Sequence, residues 1–273
     1  MNRRAIGVYR EPQFSPGKVE ADAGIMDAVL SELSSYGVTT SAVDADGFAT
    51  GAVVEAELIL AMCQSEAALK RLAEVEANGA IALNPALAIR NCYRDLLGVG
   101  LVRAGVPTPP GVLLSTGMPL DTRALAALDI DAGVYIKRGD MHALGPDDVR
   151  PANGRSELVT ELEAFARRGI RSVFVQQAAE GSTLKFYGVS GGEYFSVIAG
   201  EGEVSEAVSR ALAEAATAAA SMLGLHAWGG DAILNEDGFQ IIDFNDWPSY
   251  SRVRSHAARA IARRAMKMLA RAR

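Results

Sequence analysis

The chain has 273 residues, 49% of them hydrophobic, enough to bury a sizeable core as one large domain or as two to three small ones. A net charge of −6 without a basic tract argues against a nucleic-acid partner, and two cysteines, Cys63 and Cys92, are too few for a disulfide framework or a structural zinc site. The opening segment MNRRAIGVYR has only a short apolar run, which makes neither a signal peptide nor a membrane span, so a cytoplasmic protein without a membrane partner is expected.

Short apolar strands at residues 5–9, 39–43, 58–62 and 81–83 alternate with helices at 19–36, closed by Gly37, and from a Ser65 cap to Asn78, closed by Gly79. This alternation predicts an α/β unit with an open parallel sheet, which places ligands at the C-terminal ends of its strands. Arg10, Glu11 and Gln13 follow the first strand and read most simply as loop polar groups. A helical region runs from Asn84-Pro85 to Ala104 and is closed by Gly105; the prolines at 107, 109 and 110 stop any helix and mark a boundary.

Strands at 111–115 and 134–137 follow, with a short helix near 122–128 between them. Lys137 and Arg138 end the second strand and open a polar loop over 139–155, whose length without predicted structure marks it as functional or mobile. Ser156 reads as the cap of a helix that ends at Arg168 and is closed by Gly169. Strands at 173–177, 184–189 and 194–198 come next, the last two joined by Gly191-Gly192, and an Ala-rich helix at 204–223 ends at Gly224.

Residues 227–248, AWGGDAILNEDGFQIIDFNDWP, carry the strongest chemical signal. Apolar runs at 231–234 and 239–244 flank the polar cluster Asn235-Glu236-Asp237-Gly238, which predicts a hairpin. A three-residue loop pairs Asn235 with Phe239, and in that register Asp231 stands directly across from Asp243. Alternation puts Asn245 on the face of Asp243, with Ile242 and Phe244 on the other. Opposed like charges destabilise a strand pair, so a positive group is expected between them. Two carboxylates and an amide oxygen are hard ligands suited to Mg²⁺ or Mn²⁺, with room left for water and substrate phosphate; the plain alternative is a solvated acidic hairpin. The last helix, 251–273, has Ala257, Ile261, Ala265 and Leu269 at four-residue spacing and a basic run that reads as a solvated face. Arg252 and Arg254 lie close to the hairpin in sequence and are separate candidates.

With Lys137, the turn at 176–181, Lys185 and the hairpin taken together, the chain resembles the ATP-grasp superfamily, which includes ribosomal-protein glutamate ligases, glutathione synthetase and the inositol trisphosphate kinases. The stretch GGDAILNEDGFQIIDFN is the most specific match; Asp243 stands where many ligases have Glu, as is also the case in the inositol kinases. NCYRDLLGVGLVRAGVPTPPGVLL resembles the helix before the lid, where a phosphate-touching lysine is common and Arg94 stands here. GVYIKRGD puts Lys137 at a phosphate-contacting position. The glycine-rich flap common in the family is here RGDMHALGPDDV, so the resemblance shares that role with Arg138 and His142. VFVQQAAEGSTLK resembles the adenine hinge, with Gln176 in the strand and backbone groups of Gln177 and Ala179 at the adenine edge. Thr183 takes the place where an acid commonly meets the ribose, and Lys185 matches a basic residue facing the reacting phosphate.

What the resemblance implies is an α/β protein of ATP-grasp fold: an N-terminal open parallel α/β domain over 1–93, an α+β lid over 94–178 and a C-terminal α+β subdomain with the metal site over 179–273, the last two clamping ATP. It further implies a carboxylate–amine ligase working through an acyl phosphate, with Mg²⁺ or Mn²⁺ on Asp231, Asp243 and Asn245. Lys185 with Arg252 or Arg254 would act on the acyl phosphate or the substrate carboxylate. Small-molecule acid and amine substrates are expected, an amino acid or peptide among them, and a homodimer is admitted. Two other readings stand beside it: an inositol-phosphate-type kinase, which needs a stronger basic cluster than Arg138, Arg252 and Arg254 supply, and an ATP-binding module without turnover.

Overall fold

Strands β1 (Arg4–Val8), β2 (Thr39–Val43), β3 (Leu58–Ala61) and β4 (Ile81–Leu83) form a parallel sheet in the order β2-β1-β3-β4. The computed structural model describes residues 3–51, 55–120, 123–200 and 202–271. Helices cover both faces of this sheet, which is why β3 is apolar throughout: Leu58 and Leu60 pack toward α1 (Val19–Ser35), whereas Ile59 and Ala61 pack toward α2 (Ala45–Ala49) and α3 (Glu66–Ala77). The short α2 was not expected; Asp44 caps it by accepting the Gly47 N–H at 2.6 Å. The helical region before the lid is two helices, α4 (Ala86–Asn91) and α5 (Arg94–Arg103), broken at Cys92-Tyr93.

The lid sheet consists of β5 (Gly111–Ser115), β6 (Val134–Arg138), β7 (Val149–Ala152) and β8 (Ser172–Gln177), antiparallel in the order β5-β8-β6-β7, with α6 (Arg155–Arg167) packed on one face. The loop at 139–155 contains β7, paired with β6 from Val134↔Ala152 to Lys137↔Val149. Its sequence, VRPA, carries a proline and no clean alternation, which only an edge strand tolerates. Ser156 does not cap α6. Gly154 occupies the cap position at φ 85°, Ser156 lies inside the helix, and Glu157 reaches back to accept the Asn153 N–H at 2.8 Å. A 3₁₀ turn at Ala124–Ala127 stands where a helix over 122–128 was expected, and Thr122 falls outside the described residues.

The third sheet, β9 (Ser182–Val189), β10 (Tyr194–Ala199), β11 (Ala227–Asn235) and β12 (Gly238–Asp246), is antiparallel in the order β10-β9-β11-β12. One face packs on α7 (Glu206–Leu223), capped by Ser205 and closed by Gly224, and the other on α8 (Arg254–Arg271). The four residues spaced along α8, Ala257, Ile261, Ala265 and Leu269, are all buried. They share one core with Ile25, Met26 and Leu33 of α1, so the first and third sheets are held together through α1 and α8. Buried Asn84 adds a polar tie: its Oδ1 accepts the N–H groups of His226 (2.6 Å) and Ala227 (2.9 Å), and its Nδ2 donates to the Ala227 carbonyl (2.7 Å).

Candidate active site

The hairpin β11–β12 turns more tightly than the sequence suggested. Asn235 pairs with Gly238 across a two-residue turn, and Leu234 pairs with Phe239. A β-bulge between Asp231 and Ala232 then takes up one residue of β12, Ile242, and restores Asp231↔Asp243. The expected opposition of the two carboxylates is therefore present, reached by a bulge instead of a longer loop. Gly230 makes the close approach feasible, since a Cβ there would run into the Asp243 carbonyl oxygen and the Phe186 ring.

On the other side of β11, Asp231 pairs with Lys185 of β9, Nζ to Oδ1 2.6 Å. Asp243 meets Arg94, which reaches over from α5 with NH2 3.1 Å from Oδ2. Burial alone would raise the Asp243 carboxyl, but Arg94, then Lys137 and His142, outweigh it and hold it below the ordinary carboxylate range. Lys137 is buried and donates to two neutral acceptors, Gln176 Oε1 and the Ile242 carbonyl, each at 2.8 Å. Burial lowers its ammonium to about 8, with Asp243 opposing the shift and Arg94 adding to it. Three cations from three elements thus converge on the acidic face.

A cleft of about 380 Å³ opens over this face, lined by Arg94, Lys185, Asp231, Asp243 and Asn245 on one side and by Arg10, Asp22 and Gln64 of the first unit on the other. His142 from the lid and Arg252 after β12 complete its rim. Arg10, read from the sequence as a loop group, is a central strut: it donates to the carbonyls of Met62 (3.2 Å), Asp246 (3.1 Å) and Trp247 (2.7 Å) and to Asp22 (3.3 Å). Glu11 does remain structural, both carboxylate oxygens accepting the N–H groups of Gln64 and Ser65 at 2.9 Å ahead of α3. Asp246 was missed altogether. Strand alternation turns it away from Asn245, but β12 ends there and Trp247 takes a left-handed conformation, φ 38°, which leads the chain across to the first unit. Its buried carboxylate lies 3.0 Å from Gln64 Nε2 and 2.9 Å from His142 Nε2. Burial would raise it; His142, Arg10 and Gln64 together hold it below the ordinary range.

Other predicted residues are placed differently. Arg138 turns back onto its own loop, 2.6 Å from Asp140 and 3.8 Å from buried Asp148. Asp148 also accepts the Leu144 N–H at 2.7 Å and pairs with Arg168, so these groups shape the lid loop. Arg254 packs over Gly24 of α1 and does not line the cleft. The Gln177 side chain is engaged with Asp129 and Gly133, and its N–H donates to the Pro110 carbonyl at 2.8 Å. Ala179 follows in the turn after β8, and Thr183 lies on β9 two residues from Lys185, outside the cleft lining.

The residues present suit both a nucleotide phosphate and a divalent ion. Arg94 keeps Nε and NH1 buried without a hydrogen-bond partner, donors suited to an anionic oxygen at the edge of the cleft. Asp231, Asp243 and Asn245 supply hard oxygens from neighbouring positions of one hairpin. Among the described residues no group of three or more His, Cys, Asp or Glu side chains could hold a metal, so this mixed acid–amide set is the candidate. No helix among them is long and apolar enough to cross a membrane.

No protein-family model and no curated protein sequence matches the chain. Solved structures do match along its whole length. The D-alanine–D-alanine ligase from Bacillus anthracis, complexed with ATP, is similar with a TM-score of 0.75 at 11% identity, covering 99% of each chain. D-alanyl-alanine synthetase A from Vibrio cholerae gives 0.71 at 10% identity, covering 99% of this chain and 97% of the other, and the D-cycloserine synthetase DcsG gives 0.68 at 16%, covering 96% and 99%. A mixed α/β chain with one parallel and two antiparallel sheets, superposable end to end on these proteins, has the ATP-grasp fold.

Proposed function

We propose that the protein is an ATP-dependent carboxylate–amine ligase that forms an amide or peptide bond through an acyl phosphate and releases ADP and phosphate. The observation that carries this reading is the row Lys185, Asp231, Asp243 across three strands, with Arg94 and Lys137 closing on it from the helix and the lid. Phosphoryl transfer is chiefly positioning and charge neutralisation, and this constellation offers both. Arg94, Lys137 and Lys185 would bind the phosphates, and Gln177 and Ala179 would present backbone groups to the adenine. A divalent ion on Asp231, Asp243 and Asn245 would neutralise phosphate charge when bound. Arg252, at the cleft rim, would hold the substrate carboxylate. Closure of the lid loop excludes water, which otherwise hydrolyses an acyl phosphate.

The fold is that of ligases named for D-alanine and D-cycloserine, which makes D-alanine the first acid to test. An inositol-phosphate kinase is less well supported: its substrate needs a dense basic cluster, and Arg138 is paired to Asp140 while Arg254 lies outside the cleft lining. The test incubates the protein with ATP, Mg²⁺, hydroxylamine and single D- and L-amino acids. Acid-dependent hydroxamate with stoichiometric ADP is the expected result. Nucleotide binding without turnover across all acids, or a stable phosphorylated polyol in a parallel incubation with ATP, Mg²⁺ and inositol phosphates, would remove the ligase reading.

A further inference from the structure

We propose that His142 is the general base that deprotonates the incoming amine, with Asp246 positioning its ring; the inference rests on the ligase reading above. An amine near neutral pH is an ammonium without a lone pair, so amide formation needs a proton acceptor in the cleft. The acids lining it are engaged: Asp231 by Lys185, Asp243 by Arg94, Asp22 by Arg10 and Ser15, and Asp246 by Gln64 and His142. Among the described lining residues, His142 is the one nitrogen base that is not a cation by nature.

Its surroundings suit the role. Nε2 is buried 2.9 Å from Asp246 Oδ1 without forming an aligned hydrogen bond, and catalytic contacts of this kind commonly align only when substrate is bound. Asp246 is fixed in turn by Gln64 at 3.0 Å and by Arg10, whose NH2 is 3.8 Å away. The edge of the ring packs on Tyr93, centroids 5.4 Å apart, and neighbouring Met141 packs into the core of the first unit, so the histidine is held from the lid and from both flanks. Asp246 Oδ1 lies beside Nε2, so the proposal gives the proton-accepting role to Nδ1. The remaining exposure of the side chain, 12%, is toward the cleft that it lines with Arg94 and Asp243.

In the step itself the ammonium gives one proton to Nδ1, and the freed amine attacks the acyl carbon. The C–N bond forms and the C–O bond to phosphate breaks. The second amine proton leaves with the phosphate as hydrogen phosphate, and the imidazolium returns its proton to water. Hydroxylamine is neutral near pH 7 and needs no base, so it separates the two half-reactions. Wild type and His142→Asn are compared with ATP, Mg²⁺ and the best acid from the screen, using first hydroxylamine and then an amino-acid amine. We expect His142→Asn to lower amide formation on the order of 100-fold more than hydroxamate formation, a gap that narrows as pH rises toward the pKa of the amine. Asp246→Asn should likewise lower kcat with the amine more than with hydroxylamine, leaving KM for the amine unchanged. Equal losses with both nucleophiles, or a loss explained by weaker ATP binding, would make His142 a phosphate or structural contact and overturn the inference. His142→Gln serves as a second variant should the Asn form melt early. Absence of hydroxamate from wild type with every acid is a separate failure, that of the ligase reading itself.

Discussion

Asp231 stands between Lys185 and Asp243 in a single cross-strand row, 2.6 Å from the lysine Nζ on one side and paired in register with the second carboxylate on the other. Two carboxylates in such a row repel unless cations flank them, and Lys185 and Arg94 do so here. Asp243→Ala should abolish Mg²⁺-dependent ATP turnover, by at least about 100-fold, because it removes charge stabilisation at the reacting phosphate. Phosphate release measured beside a thermal melt checks this, with a Tm change under about 4 °C expected. Full turnover in the variant would take the hairpin out of the chemistry.

On the proposed reading, Lys137 should make nucleotide binding depend on pH. Its ammonium, lowered by burial to about 8, is protonated below that value and loses its charge above it. ATP affinity measured by calorimetry should fall as pH rises through 8, with proton uptake on binding near that pH. Lys137→Met should weaken ATP about tenfold or more at pH 7 and flatten the dependence. An unchanged slope would place the titrating group elsewhere.

Asn84 satisfies three backbone groups of the third sheet from the end of the first. Asn84→Leu removes the acceptor of the His226 and Ala227 N–H groups, while the Ala227 carbonyl keeps the Trp247 N–H at 3.1 Å, and should cost about 2 kcal/mol, read from urea denaturation. A loss under about 1 kcal/mol would mean that water replaces the side chain freely.

His226 should make the fold sensitive to acid. Burial, then Arg264, depresses it to about 4 from 6.5, so the unfolded chain binds its proton first. Its contribution is complete above 6.5 and is lost as pH falls toward 4, on the order of 1 kcal/mol at pH 5 after allowing for partial exposure. His226→Gln should flatten the stability profile over that interval while leaving the profile above pH 7 unchanged.

The amino-acid sequence by itself determined the elements and their chemistry. The parallel strands were legible because a sheet covered on both faces demands unbroken apolar runs, as in β3, α7 because it is Ala-rich and ends at Gly224, and α8 because its apolar positions recur at helical spacing. Asp231, Asp243 and Asn245 could be named because pairing in a hairpin is local, and a slip of one residue at the turn was absorbed by the bulge at Ile242. What only the tertiary structure decided is which distant groups meet. β7 was hidden because an edge strand such as VRPA owes its pairing to its neighbour and not to its own pattern. The contact of His142 with Asp246 spans the lid and the hairpin, and the strut from Arg10 to Trp247 crosses nearly the whole chain. No periodicity encodes such contacts, because they arise from how separately folded units dock, and the charges that settle Arg94 on Asp243 but turn Arg138 away to Asp140 act through space, not along the sequence.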